Sequence, residues 1–188
     1  MNTFKSQFQR RTWTKDQYLI STDSSLIPIE TLMEAFASDD FYWAKPLPAS
    51  AMKEMLDNSL CFGLYELQES ISCDSAGLFS PKRKLVGISR LVTDFITFAY
   101  LTDVWVDREY QGRGLGRWLV NSVQEVIEMM PHLRRSMLFT ADWRRSVPFY
   151  EELMDMKVIG SREGEGLAIM ERKGKGHPSY GSEGAGYN

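Results

Sequence analysis

Between a strand-like run ending at Val106 and a helix-like run beginning near Gly114 lies DREYQGRGLG, which sets Gly112, Gly114 and Gly116 on alternate positions. Glycines placed this way let the backbone approach a ligand and leave N–H groups open at a helix start, a chemistry suited to phosphate. Two familiar phosphate loops do not fit. A Walker loop needs GxxxxGK followed by Ser or Thr, and no such Lys stands in register. A dinucleotide fingerprint needs GxGxxG in a parallel βαβ unit, whereas the spacing here is GxGxG and the preceding strand reads as antiparallel. On its own residues the turn is either a phosphate cradle or an ordinary glycine-rich helix start. Arg108, Arg113 and Arg117, with Arg144 and Arg145 further on, are either phosphate partners or surface cations. Covalent catalysis finds little support, because neither Cys61 nor Cys73 has a His close in sequence, and His132 and His177 both adjoin prolines. No metal site is expected.

The elements that must hold this turn can be read from periodicity. QYLIST at 17–22 reads as a strand, and Ile29, Leu32, Met33 and Phe36 form a helical stripe after Pro28. A second short helix is predicted at about 49–57, and a strand at 60–67. KLVGISRLVTD and FAYLTDVWVD read as antiparallel neighbours, the second running from Phe98 to Val106. From Gly114 to Met130 the residues Leu115, Trp118, Leu119, Val123, Val126 and Ile127 keep a 3.6-residue spacing that Pro131 stops. SMLFTA at 136–141, a helix from Val147 to Met154 and GLAIMER at 166–172 complete the order. The expected organisation is an N-terminal arm at 1–16, one domain at 17–172 with a flexible Ser-rich loop at 68–83, and a disordered Gly-rich tail at 173–188. The fold class is α+β, with strands and helices mixed.

Gln111-Gly112-Arg113-Gly114-Leu115-Gly116 resembles the Q/R-x-x-G-x-G/A pyrophosphate loop of the GNAT superfamily of N-acetyltransferases, and LTDVWVDREY leads into it as that family's fourth strand does. SMLFTADWRRSVPFYEELMDMKV is similar to the family's later strand and Tyr-bearing helix, with Trp143 where many relatives carry Asn and Asp155-Met156 in place of Gly-Phe. The resemblance covers about residues 17–172. It implies a mostly antiparallel central sheet flanked by helices, and acetyl-CoA as co-substrate. Its diphosphate would lie on backbone N–H groups of Gln111, Gly112, Arg113, Gly114, Leu115, Gly116 and Arg117. It also implies cofactor contacts from Val104, Trp105 and Val106 on the strand and from Trp143 and Ser146 later on. The N–H of Val104 would face the thioester carbonyl, a contribution of about 3 kcal/mol for an oxyanion donor.

Direct acyl transfer needs a neutral amine, yet an alkyl ammonium has a pKa of ~10.4, so a proton must leave. Asp103, beside the implied oxyanion donor, is the carboxylate at a position resembling an acidic residue of the polyamine-acetylating branch, as base or as substrate ligand. Tyr150 stands at the family's position for the acid that protonates the departing thiolate, a hydroxyl of pKa ~10 against a thiol of ~8.5. The acceptor pocket in such folds involves the loop between the first two helices, here DDFYWAKPLP, where Asp40, Phe41, Tyr42 and Trp43 would meet an ammonium and its apolar stem. A primary amine of a small molecule is the expected acceptor. The alternatives are a protein Lys or N-terminus, or a non-catalytic acyl-CoA-binding module.

Composition sets the outer bounds. With 188 residues, 43% hydrophobic and 25% charged, the chain suits one globular domain, and its formal charge of -3 lacks the basic signature of a nucleic-acid protein. No window resembles a signal peptide or a membrane span, so a cytoplasmic or nuclear protein, monomer or homodimer, is expected with neither nucleic acid nor membrane as partner.

Overall fold

The computed structural model describes residues 4–41, 47–73, 79–159 and 168–173. In chain order the elements are α1 (Phe4–Phe8), β1 (Thr12–Lys15), β2 (Tyr18–Ser21), α2 (Ile29–Ala37), α3 (Ala49–Asp57), β3 (Leu60–Cys73), β4 (Phe79–Thr93), β5 (Phe98–Val106), α4 (Leu115–Glu128), β6 (Arg135–Thr140), α5 (Ser146–Met154), β7 (Lys157–Ile159) and β8 (Ala168–Lys173). Single 3-10 turns occupy Ser24–Leu26, Asp39–Phe41 and Arg108–Tyr110. The chain divides into two compact units, one of residues 8–90 and 103–119, the other of 1–7, 91–102 and 120–188.

The first unit orders its strands β1-β2-β3-β4-β5. β1 pairs with β2 and β2 with β3, both antiparallel. Its core lies between these strands and α2 with α3: Leu32 and Phe36 from α2, Met52 and Leu56 from α3, and Tyr65, Ile88 and Trp105 from the strands. Leu32 and Met52 are fully buried, each such side chain contributing about 2 kcal/mol through removal from water. Phe41 stacks on Phe36 at 4.1 Å between ring centres.

In the second unit the order is β5-β6-β8-β7. β5 and β6 run parallel, with Phe98 opposite Arg135, whereas β6–β8 and β7–β8 are antiparallel. The turn from β4 into β5 is built on Asp94, whose carboxylate accepts N–H bonds from Ile96, Thr97 and Phe98 at 2.9, 2.7 and 3.1 Å.

The structure differs from expectation at two places. The N-terminal arm carries α1 and β1, because Phe8 is fully buried and Thr22 Oγ1 holds both Phe8 O (2.7 Å) and Arg11 N (2.8 Å). The segment expected as a loop at 68–83 is largely strand, since β3 and β4 extend through its described residues. Residues 160–167 and the tail from 174 lie outside the described residues.

Candidate active site

The glycine turn stands where the sequence put it. Gly112 and Gly114 have φ of +76° and +75°, and a Cβ built on either would meet nothing within 4 Å. A left-handed backbone is the conformation that glycine tolerates and other residues resist. The first helical bond of α4 is Trp118 N–H to Gly114 O at 3.0 Å, so the N–H groups of Leu115, Gly116 and Arg117 precede the helical ladder. Open space beside left-handed glycines and a helix start rich in N–H groups fits a diphosphate, with the dipole of α4 favouring its charge.

The side chains around the turn fix its shape. Gln111 Nε2 donates to Val106 O at 2.8 Å, tying the loop to the end of β5. Arg113 folds back, donating to Tyr18 Oη at 3.1 Å and Glu109 O at 2.8 Å, with its guanidinium 5.0 Å from the centre of the Tyr110 ring. Lys84 Nζ also lies over that ring, at 4.9 Å. The Tyr110 hydroxyl donates to Glu66 Oε2 at 2.8 Å, and burial together with this carboxylate raises its pKa. The Arg113 guanidinium, a phosphate candidate by sequence, is held against the turn by these contacts, and that of Arg108 pairs with Asp40.

β5 carries the second group. Asp103 has a φ of +51° and a side chain 7% exposed, and its Oδ2 accepts from Arg90 Nε at 2.7 Å. Arg90 Nη1 also donates to Ser59 Oγ at 3.2 Å, and Ser59 Oγ in turn donates to Met55 O at 2.8 Å. Cys61 borders this pair. Its thiol is pushed up to about 12 mainly by burial, with Arg90 opposing and Asp103 and Asp57 adding to the rise. Arg90 and Ser59 escaped the sequence reading. The signal was present: a single arginine inside the apolar run KLVGISRLV needs a buried counter-charge, and Asp103 is the acid in the neighbouring strand.

One strand separates two environments. Val106 points toward α4, its Cγ2 lying 3.8 Å from a Cβ built on Gly116, while Trp105 joins the core beneath α2. On the α2 side a cavity of about 950 Å³ is bordered by Trp105, Asp107 and Arg108, by Asp39 and Asp40, and by β4 from Lys82 to Leu85. Asp40 borders this cavity. Phe41 does not line it: the ring is 1% exposed, set between Phe36 and Trp105, so it anchors the turn to the core. Tyr42 and Trp43 lie outside the described residues.

The remaining candidates belong to the other unit. Tyr150 lies on α5, 9% exposed, with its ring 5.1 Å from that of Phe149. Trp143 and Ser146 are half-buried at the start of α5, where Asp142 accepts N–H bonds from Arg145 and Ser146 at 2.9 and 3.0 Å. Asp155 takes a left-handed φ of 50° after α5 and Met156 is fully buried, so this pair turns and anchors the chain after that helix. Among the described residues no group of three His, Cys, Asp or Glu side chains is placed to hold a metal ion. No described helix is long and apolar enough to cross a membrane.

Comparison with known proteins bears on the family and the fold. The family model described as acetyltransferase (GNAT) family matches residues 32–156. The chain is 36% identical over 168 residues to the Gibberella zeae protein named "Putative acetyltransferase FG08082", covering 88% of this chain and 95% of that one. A crystal structure from Xanthomonas campestris pv. campestris, described as "a putative acetyltransferase belonging to the gnat family", is 27% identical with a TM-score of 0.51, covering 81% of this chain and 98% of that one. Spermidine N-acetyltransferase from Vibrio cholerae, solved with CoA and spermine, shares the fold at a TM-score of 0.59 and 13% identity, covering 85% and 96%.

Proposed function

Since the chain belongs to the acetyltransferase (GNAT) family, we propose that it carries an acetyl group from acetyl-CoA to the primary amine of a small molecule, by direct attack in a ternary complex. The observation that carries the donor half is the turn at 112–117: left-handed glycines with open space above them, ahead of the first hydrogen bond of α4. Acetyl-CoA supplies the activated acyl group. The chain's own part is to hold the diphosphate on the N–H groups of Gly112 to Arg117, the N–H of Gln111 being donated to Arg108 O at 3.3 Å, and to aim the N–H of Val104 at the thioester oxygen.

Asp103 enters this scheme as a positioning residue. Its carboxylate already holds Arg90, which fixes the left-handed backbone at 103 and with it the direction of the next N–H, that of Val104. Tyr150 keeps the role of proton donor to the departing thiolate, on its hydroxyl chemistry and its place in the family pattern. Trp143 and Ser146 are assigned to the pantetheine side on the same ground. The cavity bounded by Trp105 and α2 is the acceptor site in this reading, because Trp105 sits between the two valines whose N–H groups serve the donor.

Calorimetric titration with acetyl-CoA, with NAD and ATP as controls, tests the donor half. Selective binding that is lost in Gly114→Val is the expected result, and absence of binding to the folded protein removes the reading. Thiol release on adding amines tests the transfer.

A further inference from the structure

The acceptor cavity says more about its ligand than that it carries an amine. Its charged border is balanced: carboxylates from Glu34, Asp39, Asp40 and Asp107 against cations from Lys82, Arg83, Lys84 and Arg108, four of each. Half of these are already engaged. Asp40 holds Arg108, Asp107 accepts the N–H of Glu109 at 2.9 Å, and Lys84 lies 3.8 Å from Glu109. Glu34 and Asp39 on the helix side, and Lys82 and Arg83 on the strand side, have no hydrogen bond or ion pair among the described residues.

Among the unengaged groups, the acids Glu34 and Asp39 come from α2 and the turn after it and the cations Lys82 and Arg83 from β4, and that turn abuts Trp105 through Phe41, whose ring centre is 5.8 Å from the indole. Trp105 itself is 9% exposed, and its buried indole N–H has no acceptor among the described residues. Arg83 lies two residues before the buried Leu85, on the same face of β4, which turns it toward α2. Gly87 is the β4 residue that meets the Trp105 carbonyl, so Arg83 stands four residues, about 13 Å, further along the strand.

A polyamine, cationic at every binding group, would leave Arg83 opposed rather than paired. A plain alkylamine would cover charges and return nothing for them. We propose, resting on the reading of this cavity as the acceptor site, that the acceptor is an amphoteric small molecule: an amine met by the acids beside Trp105, joined by a chain of several atoms to an anionic group, carboxylate or phosphate, that Arg83 receives. Arg83 is then a specificity-determining residue, and the separation of the charges selects an ω-amino acid or aminoalkyl phosphate over an α-amino acid.

Four amines with the same six-carbon chain test this: 6-aminohexanoate, 6-aminohexyl phosphate, hexylamine and 1,6-diaminohexane, each assayed by thiol release at saturating acetyl-CoA. The expected result is a kcat/KM at least tenfold higher for one or both anionic amines than for the other two, carboxylate against phosphate telling which anion is preferred. In Arg83→Gln that ratio should fall toward one through KM, and Arg83→Lys should retain most of it. Equal rates for hexylamine, or the diamine as best substrate, would overturn the inference while leaving a small-amine acetyltransferase in place. Turnover of none of the four by protein that binds acetyl-CoA, with acetylation of a peptide amine instead, would remove the small-molecule reading itself.

Discussion

Replacing Arg90 should damage the fold and the transfer step together, by an amount the geometry allows to be worked out. Asp103 is 7% exposed and receives Arg90 at 2.7 Å, so Arg90→Gln takes the guanidinium charge away from a buried carboxylate. Breaking one side of such a pair costs about 3–5 kcal/mol, because the stranded ion keeps its desolvation penalty and loses its attraction. In a chain of this size each kcal/mol moves Tm by about 2–4 °C, giving a fall of roughly 6–20 °C. Asp103→Asn should cost less, since asparagine accepts the left-handed φ of 51° and the stranded group, Arg90, is 16% exposed and closer to water. The double variant, with neutral Gln facing neutral Asn, removes both charges and should be more stable than the sum of the single losses by about 2 kcal/mol. Urea unfolding of the four proteins measures this coupling. A coupling below about 0.5 kcal/mol would refute the reasoning, for the pair would then behave as exposed ions do. The same proteins report on function: Arg90→Gln should lower kcat with the KM for acetyl-CoA little changed, since the glycine turn lies outside this network.

Three further outcomes follow from single sites. Gly114→Ala places a methyl on a left-handed residue, costing about 1 kcal/mol of stability, but puts it into open space that the diphosphate would use, so acetyl-CoA affinity should fall by well over the roughly fivefold that this strain alone represents; equal losses in both, compared by urea unfolding and calorimetry, would mean the turn is architecture. Burial works against ionisation of Asp94, yet the Thr97 hydroxyl and three backbone N–H groups outweigh it and hold the carboxyl at about 2, below its ordinary 3.8. Its stabilisation is therefore present above pH 3.8 and lost as pH falls through 2, so the urea-midpoint gap between wild type and Asp94→Asn should shrink from pH 6 to pH 2, and a pH-independent gap would count against the assignment. Cys61, buried and pushed up to about 12, should resist a thiol reagent at pH 8 in a Cys73→Ser background until the protein is unfolded, whereas rapid labelling of the native protein would show that the strand opens.

Much of the site was legible because its chemistry is carried by backbone conformation, which glycine spacing announces. The bounds of β5, the start of α4 and the position of Tyr150 follow from alternation, a 3.6-residue stripe and a motif order that survive without tertiary information. What stayed hidden depends on pairing across strands. Arg113 reads as a phosphate ligand in one dimension and is seen to brace the turn only when Tyr18, 95 residues earlier, comes beside it. Arg90 and Asp103 are 13 residues apart and become a pair only once β4 and β5 are set in register. Phe41 shows the limit from the other direction: an aromatic in a polar loop looks available for a ligand, and burial against Phe36 shows it is not. The strand character of 68–73 and 79–83 was masked in the sequence by Pro81 within it and by Asp74 and Gly77 between the two stretches, residue types depleted in strands.

These features converge on β5 as a partition. Val106 rests against the start of α4, where the donor's diphosphate would lie, and Trp105, one residue earlier, borders the cavity on the α2 side. A strand with strict alternation keeps such environments apart, because successive side chains point to opposite faces. A reacting carbonyl must be reached from both, and a break in strand geometry is a way to present a backbone N–H to it. Asp103 supplies that break with its left-handed φ, immediately before Val104. A non-glycine residue in that conformation needs compensation, and a glycine there would give the conformation without fixing it. The ion pair to Arg90, anchored through Ser59 to the end of α3, provides the fixing and ties that helix to the residue that precedes Val104. On this argument the carboxylate at 103 is kept for its grip on Arg90, and Asp103→Gly, which preserves the backbone conformation but releases the grip, should lose more activity than its small steric change would suggest.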